Sequence, residues 1–420
     1  MRCSRLAAGQ DPRAAARRMR ESIPAPASVA GRVSEILQRV RGEGDAAVLE
    51  LTARFDAPGR PPRSLRVAAQ ALEVAERALS PDLRAGLEQA IDHVRRVAEA
   101  GLNPDRTVHF PDHEVTLREV PVERAAVYVP GGRAPYPSTV VMGVVTARAA
   151  GVAQVAVCSP PSSDGEIDPA VLAACRLTGA TEVYAMGGAQ AVAALGYGTE
   201  TIAPVDVLVG PGNLYVQEAK RQLSGRIGID MFAGPSDLLV VADPAEDPEP
   251  IALDLAAQAE HGPGTLVAAA STSADLLNAL ASALEDHPET GAQAWLVELE
   301  REAQALELIQ AFAPEHLELL MPQAEQLADR VTRAGCVFVG RESATAFGDY
   351  IAGSNHTLPT DGSARFASAL SVRQFRRTFT EVRVRDGSRL ARAAAPIARA
   401  EGFELHARSM EVRIRENGRP

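Results

Sequence analysis

Four of the eight histidines in this 420-residue chain lie in compact polar motifs with the residue types of acid–base or metal chemistry. The motifs are Gln258-Ala259-Glu260-His261, Pro314-Glu315-His316, the stretch from Asp349 to Asn355-His356, and the stretch from Glu401 to His406. The others, His93, His109, His113 and His287, fall in charged or loop surroundings and read as surface residues. Gln258 and His261 are three apart on a predicted helix, so both leave one face about a turn apart, as two ligands of one metal do. The same spacing fits a solvated helix face. Asp349 follows Phe347-Gly348, and His406 precedes a run that reads as a strand. Two His, one Asp and one Gln with no Cys suit Zn²⁺, and such donors also accept Mn²⁺ or Co²⁺. Spacing alone does not bring the four together.

Glu315 and His316 follow Pro314, a placement that predicts the first turn of a helix. There the dipole stabilises a carboxylate, and a histidine can act as a base near neutral pH. Adjacent helical residues diverge by about 100°, so the pair can address two sides of a substrate, or be no more than an N-terminal acid and an exposed histidine. Two glycine turns offer anion chemistry: Tyr128-Val129-Pro130-Gly131-Gly132-Arg133 after one predicted strand, and Gly210-Pro211-Gly212-Asn213 after another. Backbone N–H groups at such turns approach an anion closely, and a helix dipole favours one there. Ordinary strand-to-helix punctuation uses the same glycines. No Gly-x-Gly-x-x-Gly is present, so any dinucleotide binds without the usual fingerprint.

The elements that must position these residues alternate. From Ala125 short apolar strands (Ala125 to Val129, Ala153 to Cys158, Glu182 to Met186, Val205 to Val209) are spaced by Ala-rich helical segments. A second series follows, with strands at Leu238 to Ala242, Thr265 to Ala270 and Cys336 to Gly340. This is the pattern of parallel sheets covered on both faces, a doubly wound α/β chain. Before Ala125 the chain reads as mostly helical, and the last fifty residues or so as a small appendage.

Composition removes several chemistries. Lys220 is the only lysine among 43 Lys and Arg, so no phosphate-binding Gly-x-x-x-x-Gly-Lys loop exists and a Schiff base could form nowhere else. Cys3, Cys158, Cys175 and Cys336 form no Cys-x-x-Cys pair and read as core residues. No run approaches the ~20 apolar residues of a membrane span, and Met1 to Ser22 lacks a secretory core, so a soluble cytoplasmic protein is expected. Arginines crowd both ends, whereas Arg226 to Arg301 encloses a stretch with no basic residue and many carboxylates. With a net charge of -11 and arginines interleaved with Ala, Val and Leu, nucleic-acid binding is not expected. Basic ends packing on the anionic middle, across a subunit boundary, fit better.

Together the motifs resemble the histidinol dehydrogenase family. The matching segments are Glu123 to Ser138, Gly187 to Ala194, Gly210 to Asn213 with Glu218 to Arg221, Ala233 to Asp237, Gln258 to Pro263, Ala313 to Leu317, Gly348 to Thr360 and Glu401 to His406, in the family's order. The resemblance implies a zinc enzyme that oxidises L-histidinol to L-histidine through L-histidinal with two NAD⁺, the last steps of histidine biosynthesis. It implies one Zn²⁺ per subunit on Gln258, His261, Asp349 and His406, with His406 given by the partner of a homodimer with shared active sites. Ser236, Gln258, His261, Glu315, His316, Asp349, His356, Glu401 and His406 match substrate-contacting positions, and Tyr128, Gln190 and Asn213 match positions that touch NAD. His316 matches the general base and Glu315 the residue that activates water.

The implied fold is two incomplete Rossmann-like doubly wound domains with small N- and C-terminal dimerisation appendages. Residues 1–23 would be a helical dimerisation segment, and 24–127 with 238–369 a larger domain carrying most of the zinc and catalytic site. Residues 128–237 would be an inserted NAD-binding domain, and 370–420 an appendage reaching the partner. Gly143, Thr146 and Phe232 depart from the family pattern, on the expected nucleotide side. A related dehydrogenase for another small polar alcohol is the nearest alternative, and Glu401 and His356 favour histidinol. A zinc hydrolase leaves Tyr128, Gln190 and Asn213 unexplained.

Overall fold

The computed structural model describes residues 1–23, 28–58, 60, 62–131 and 134–414. Gly132 and Arg133 of the first glycine turn, and Arg415 and Arg419 of the basic tail, lie outside the described residues. The fourteen described strands are β1 (Cys3–Ala7), β2 (Arg106–His109), β3 (His113–Pro121), β4 (Arg124–Tyr128), β5 (Gln154–Ser159), β6 (Glu182–Ala185) and β7 (Val207–Val209), followed by β8 (Gly228–Ile229), β9 (Asp237–Ala242), β10 (Leu266–Ser271), β11 (Gln293–Glu298), β12 (His316–Leu320), β13 (Cys336–Val339) and β14 (Arg376–Val384). The chain divides into two compact units, Met1–Gly101 with Val122–Phe375, and Leu102–Pro121 with Arg376–Pro420.

The first unit holds two all-parallel sheets, in the orders β6-β5-β4-β7-β8 and β1-β11-β10-β9-β12-β13. Both orders run outward in two directions from a reversal point, between β4 and β7 and between β9 and β12, so the doubly wound prediction holds. The central strands are apolar on both faces because helices cover both. Ala126 and Tyr128 face one core and Ala125 and Val127 another, while Leu239 and Val241 are likewise separated from Leu238 and Val240. Carboxylates of the arginine-free stretch serve as helix caps: Asp247 accepts the N–H of Glu249 at 3.0 Å at the start of helix Pro248–Ala259.

Four expectations change. Residues 1–23 are not helical throughout: β1 is an edge strand paired with β11, and helix Pro12–Glu21 buries Ala15, Ala16 and Met19 in the core of the same sheet. The helices between residues 30 and 100 pack on the five-stranded sheet and not on the six-stranded one, because Val33, Leu37 and Val48 belong to the core of Ala126 and Tyr128, and Leu72 and Ala75 to that of Ala125 and Val127. Residues 106–121, read with the larger domain, pair instead with β14 in an antiparallel sheet of order β14-β3-β2 in the second unit. Glu315 and His316 do not start a helix, because His316 opens β12, hydrogen-bonded on both sides to β9 and β13.

The helical segment between β4 and β5 is interrupted by a π-turn, Val141–Val145, between Pro137–Val140 and Thr146–Ala149. Thr146 donates its hydroxyl hydrogen to Met142 O at 2.6 Å, and Asn355 Nδ2 donates to the same carbonyl at 3.1 Å. The departures Gly143 and Thr146 thus lie in packed interior, while Phe232 is exposed.

In the second unit helices Ser388–Ala400 and Glu404–Glu411 share a small core of Ala395, Ala398 and Ala407. Its arginines find carboxylates in that unit, Arg399 with Glu404 at 2.9 Å and with Glu411 at 2.7 Å, and Arg383 with Glu114 at 3.6 Å. At the other end Arg20 does reach the anionic middle, pairing with Asp237 at 2.7 Å. Leu239 is fully buried on central strand β9. Leu239→Ala is expected to cost about 2–5 kcal/mol in chemical unfolding, and a loss under about 1 kcal/mol would contradict this placement of the core.

Candidate active site and cofactor cleft

The site is built on the amino ends of β9 and β12. Asp237 and His316 open these strands, and the side-chain and backbone groups of Asp237 and Glu315 interlock. The Glu315 N–H donates to Asp237 Oδ1 at 2.7 Å, and the Asp237 N–H donates to Glu315 Oε2 at 2.9 Å. Arg20 neutralises Asp237 from behind, while donating to Phe312 O at 2.8 Å and lying over the Phe312 ring at 3.9 Å. In front, Gln258 Nε2 donates to Ser236 Oγ at 2.5 Å, and Ser236 donates to Glu315 Oε2 at 2.5 Å. Burial pushes the Glu315 carboxyl up to about 7, against the pull of His316 and with a further push from Asp237.

His316 is 3% exposed, with Nδ1 at 3.7 Å from Glu315 Oε2 and at 3.4 Å from Gln258 Nε2. Burial alone would lower its pKa, but the carboxylates of Glu315 and Asp349 reverse this and raise it to about 9. Its Nε2 faces Asp349 Oδ1 at 3.4 Å without the alignment of a hydrogen bond, so among the described residues this buried polar atom has no hydrogen-bond partner. Burial opposes ionisation of Asp349, yet His316, His356 and His261 hold it below the usual carboxylate range.

His356 is fixed at both ring nitrogens, Nδ1 at 3.0 Å from Asp349 O and Nε2 at 3.2 Å from Thr139 Oγ1, and burial lowers its pKa. His93, expected at the surface, is half-buried and bonds the Ile351 carbonyl through Nδ1 at 2.7 Å, steadying the segment after Asp349.

Helix Pro248–Ala259 ends before His261, so Gln258 and His261 do not share a helical face. Gln258 is buried in the last turn, while His261 is exposed in the following turn with Nδ1 at 3.0 Å from Gln258 O. Gln258 lies beside His316 Nδ1 and Asp349 beside His316 Nε2, and His261 is near enough to Asp349 to help lower its pKa; amide, carboxylate and imidazole are donors of the kind Zn²⁺ accepts. Among the described residues no three His, Cys, Asp or Glu stand close enough to hold a metal by themselves. Glu401 and His406 belong to the second unit, both exposed; His406 lies within helix Glu404–Glu411, where a strand had been expected to follow it.

The nucleotide-side residues gather at the carboxyl ends of the five-stranded sheet. A cleft of ≈ 670 Å³ is lined by Gln190 and Asn213 together with Arg32, Arg39, Arg54 and Asp56. Helices Gly188–Tyr197 and Leu214–Leu223 both begin here, so their positive ends and three guanidinium groups favour an anion. Asn213 Oδ1 caps the second helix, accepting from Tyr215 N at 3.0 Å and Val216 N at 3.2 Å. Tyr128 is buried behind the first helix, its Oη accepting the Gly188 N–H at 3.1 Å, and is not among the residues that line the cleft. Asp56 accepts from Gln190 Nε2 at 3.0 Å and from the Gly187 N–H at 3.2 Å; burial raises its pKa to about 6.

Sequence reasoning missed Asp237, Arg20, Thr139 and Asp56. Asp237 carried a signal, adjacency to Ser236. Arg20, Thr139 and Asp56 carried none, because their partners are more than a hundred residues away.

A family model described as histidinol dehydrogenase matches residues 19–414. A histidinol dehydrogenase of Parasynechococcus marenigrum (strain WH8102) is 45% identical over 400 residues, 92% of this chain and 91% of that protein. One from Gluconobacter oxydans (strain 621H) is 40% identical over 406 residues, 93% of this chain and 94% of that protein. The crystal structure of histidinol dehydrogenase from Elizabethkingia anophelis is similar with a TM-score of 0.90 at 29% identity, over 98% of both chains. The resemblance thus extends over nearly the whole sequence and fold, and the chain belongs to the histidinol dehydrogenase family of NAD-dependent oxidoreductases.

Proposed function

We propose that the protein oxidises L-histidinol to L-histidine through L-histidinal, with two NAD⁺ and one Zn²⁺ per subunit, in the last steps of histidine biosynthesis in the cytoplasm. The observation that carries this reading is the buried Gln258–Ser236–Glu315 relay beside a histidine whose Nε2 has no hydrogen-bond partner. Gln258, His261 and Asp349, with His406 of the partner subunit, would hold Zn²⁺, which would supply orientation of the substrate, and the cleft would hold NAD⁺ as the hydride acceptor. His316 takes the hydroxyl proton in its neutral form, which the two carboxylates make scarcer at neutral pH and which becomes populated as pH rises towards about 9.

The second oxidation starts from water added to the aldehyde. Glu315, with its carboxyl pushed up to about 7, accepts that water's proton while the Ser236 hydroxyl and the Asp237 N–H both donate to its Oε2. A thiolate route is disfavoured, because burial raises the pKa of Cys158, Cys175 and Cys336. Carboxylates around Gln258 and His261 favour a cationic substrate, with Ser236, His356 and Glu401 completing its contacts. Gln190 and Asn213 contact NAD⁺ in the arginine-lined cleft, and Tyr128 acts there through the Gly188 turn.

Two equivalents of NADH per L-histidinol are expected from the absorbance of NADH, lost with a chelator and restored by Zn²⁺; no NADH at all would sink the reading. His316→Ala is expected to lower kcat by roughly 10²–10⁴-fold with zinc content retained, whereas His406→Ala is expected to lower zinc content itself. Unchanged zinc in His406→Ala would remove it from the ligand set. Sharing of sites across a homodimer has its own check. Mixed and reassembled His316→Ala and His406→Ala chains form hybrids with one intact site, and about a quarter of the wild-type activity is expected to return. Recovery no greater than the sum of the two variants would rule out a shared site.

A further inference from the structure

Lys220 has no part in the chemistry above, yet it is completely buried. Its Nζ forms an ion pair with Asp230 Oδ1, where the side chains are 0% and 1% exposed, and donates to Gly210 O at 3.0 Å. Asp230 Oδ2 accepts the Gly210 N–H at 2.7 Å, and Oδ1 accepts the Met231 N–H at 2.8 Å. Both backbone groups of Gly210 are therefore held by one buried salt bridge. Gly210 has φ +115, and a Cβ there would sit 2.1 Å from Tyr128 O. The turn thus lies against the end of β4 at the reversal point of the sheet. One turn back on the same helix, Gln217 Nε2 donates to Gly212 O at 3.4 Å while Gln217 Oε1 accepts the Ala233 N–H at 3.0 Å.

We infer that Lys220 and Asp230 are positioning residues that fix the Gly210–Asn213 turn in its cofactor-binding shape before NAD⁺ arrives. The inference rests on the assignment of NAD⁺ to this cleft. Every other position among the 43 Lys and Arg is arginine, so the single lysine stands where a guanidinium does not serve. An ammonium is a compact donor that addresses a carbonyl and a carboxylate from one atom, whereas a guanidinium is a broad planar fork. The pair holds an ordering cost inside the folded protein that would otherwise be charged to cofactor binding.

The single lysine also supplies the test, because protein grown with ¹⁵N-lysine gives one lysine amide resonance. In the wild-type enzyme NAD⁺ is expected to shift that resonance. Lys220→Arg and Asp230→Asn are expected to raise KM for NAD⁺ at least about tenfold, by a larger factor than kcat falls, with L-histidinol affinity and zinc content unchanged. Charge-preserving Lys220→Arg should rescue no better than Lys220→Met. If the Lys220 variants are too unstable to assay, direct NAD⁺ binding to the milder Asp230→Asn decides. A resonance that moves with NAD⁺, together with wild-type NAD⁺ affinity in Lys220→Arg and Asp230→Asn, overturns the positioning role and leaves the cleft assignment standing. A resonance indifferent to saturating NAD⁺ overturns the cleft assignment and the inference with it.

Discussion

Asp237 is a carboxylate with no access to water, and its environment answers it on every side. Arg20 supplies the charge, and the N–H groups of Glu315 and Asp361 donate to its two oxygens. Leaving such a group unpaired costs about 3–5 kcal/mol, so the first helix, the start of β9 and the start of β12 are tied to one geometry. Glu315 inherits that geometry, because its backbone is held by the Asp237 side chain and its side chain by the Asp237 backbone. The Glu315 carboxyl, proposed to react, is thereby fixed although it precedes the strand.

The two halves of the site sit at opposite strand ends. In the five-stranded sheet the cleft lies beyond the carboxyl ends of the strands, at the reversal of strand order, where open α/β sheets commonly place ligands. In the six-stranded sheet Asp237, Glu315 and His316 lie at the amino ends of β9 and β12. The chain from Asp230 to Asp237 joins these places. Asp230 holds Gly210, the Ala233 N–H donates to Gln217, the Gly234 N–H donates to Thr360, and Ser236 donates to Glu315. A short connector therefore fastens the Gly210 turn and the Glu315 carboxyl to the same run of backbone.

Apolar runs such as Leu238 to Ala242 announced their strands because burial on both faces leaves no polar positions. His316–Leu320 did not, since its Glu and His residues look like a helix start. In that buried strand, burial and the neighbouring Asp254 push the Glu318 carboxyl up, which favours its protonated form. β1 was hidden by Arg5, whose guanidinium turns outward to Asn278 at the sheet edge. Short-range motifs pointed to Gln258, Glu315 and His316, and the family resemblance to Ser236, but the groups that hold them depend on register between distant strands, which local spacing does not encode.

With Lys220 sealed inside, every basic side chain of the arginine and lysine class that meets solvent is a guanidinium. Such a surface keeps its positive charges at any attainable pH. It also offers no lysine amine for acetylation or ubiquitin attachment, so the positive charge on the outside of this enzyme is closed to the commonest covalent means of erasing it.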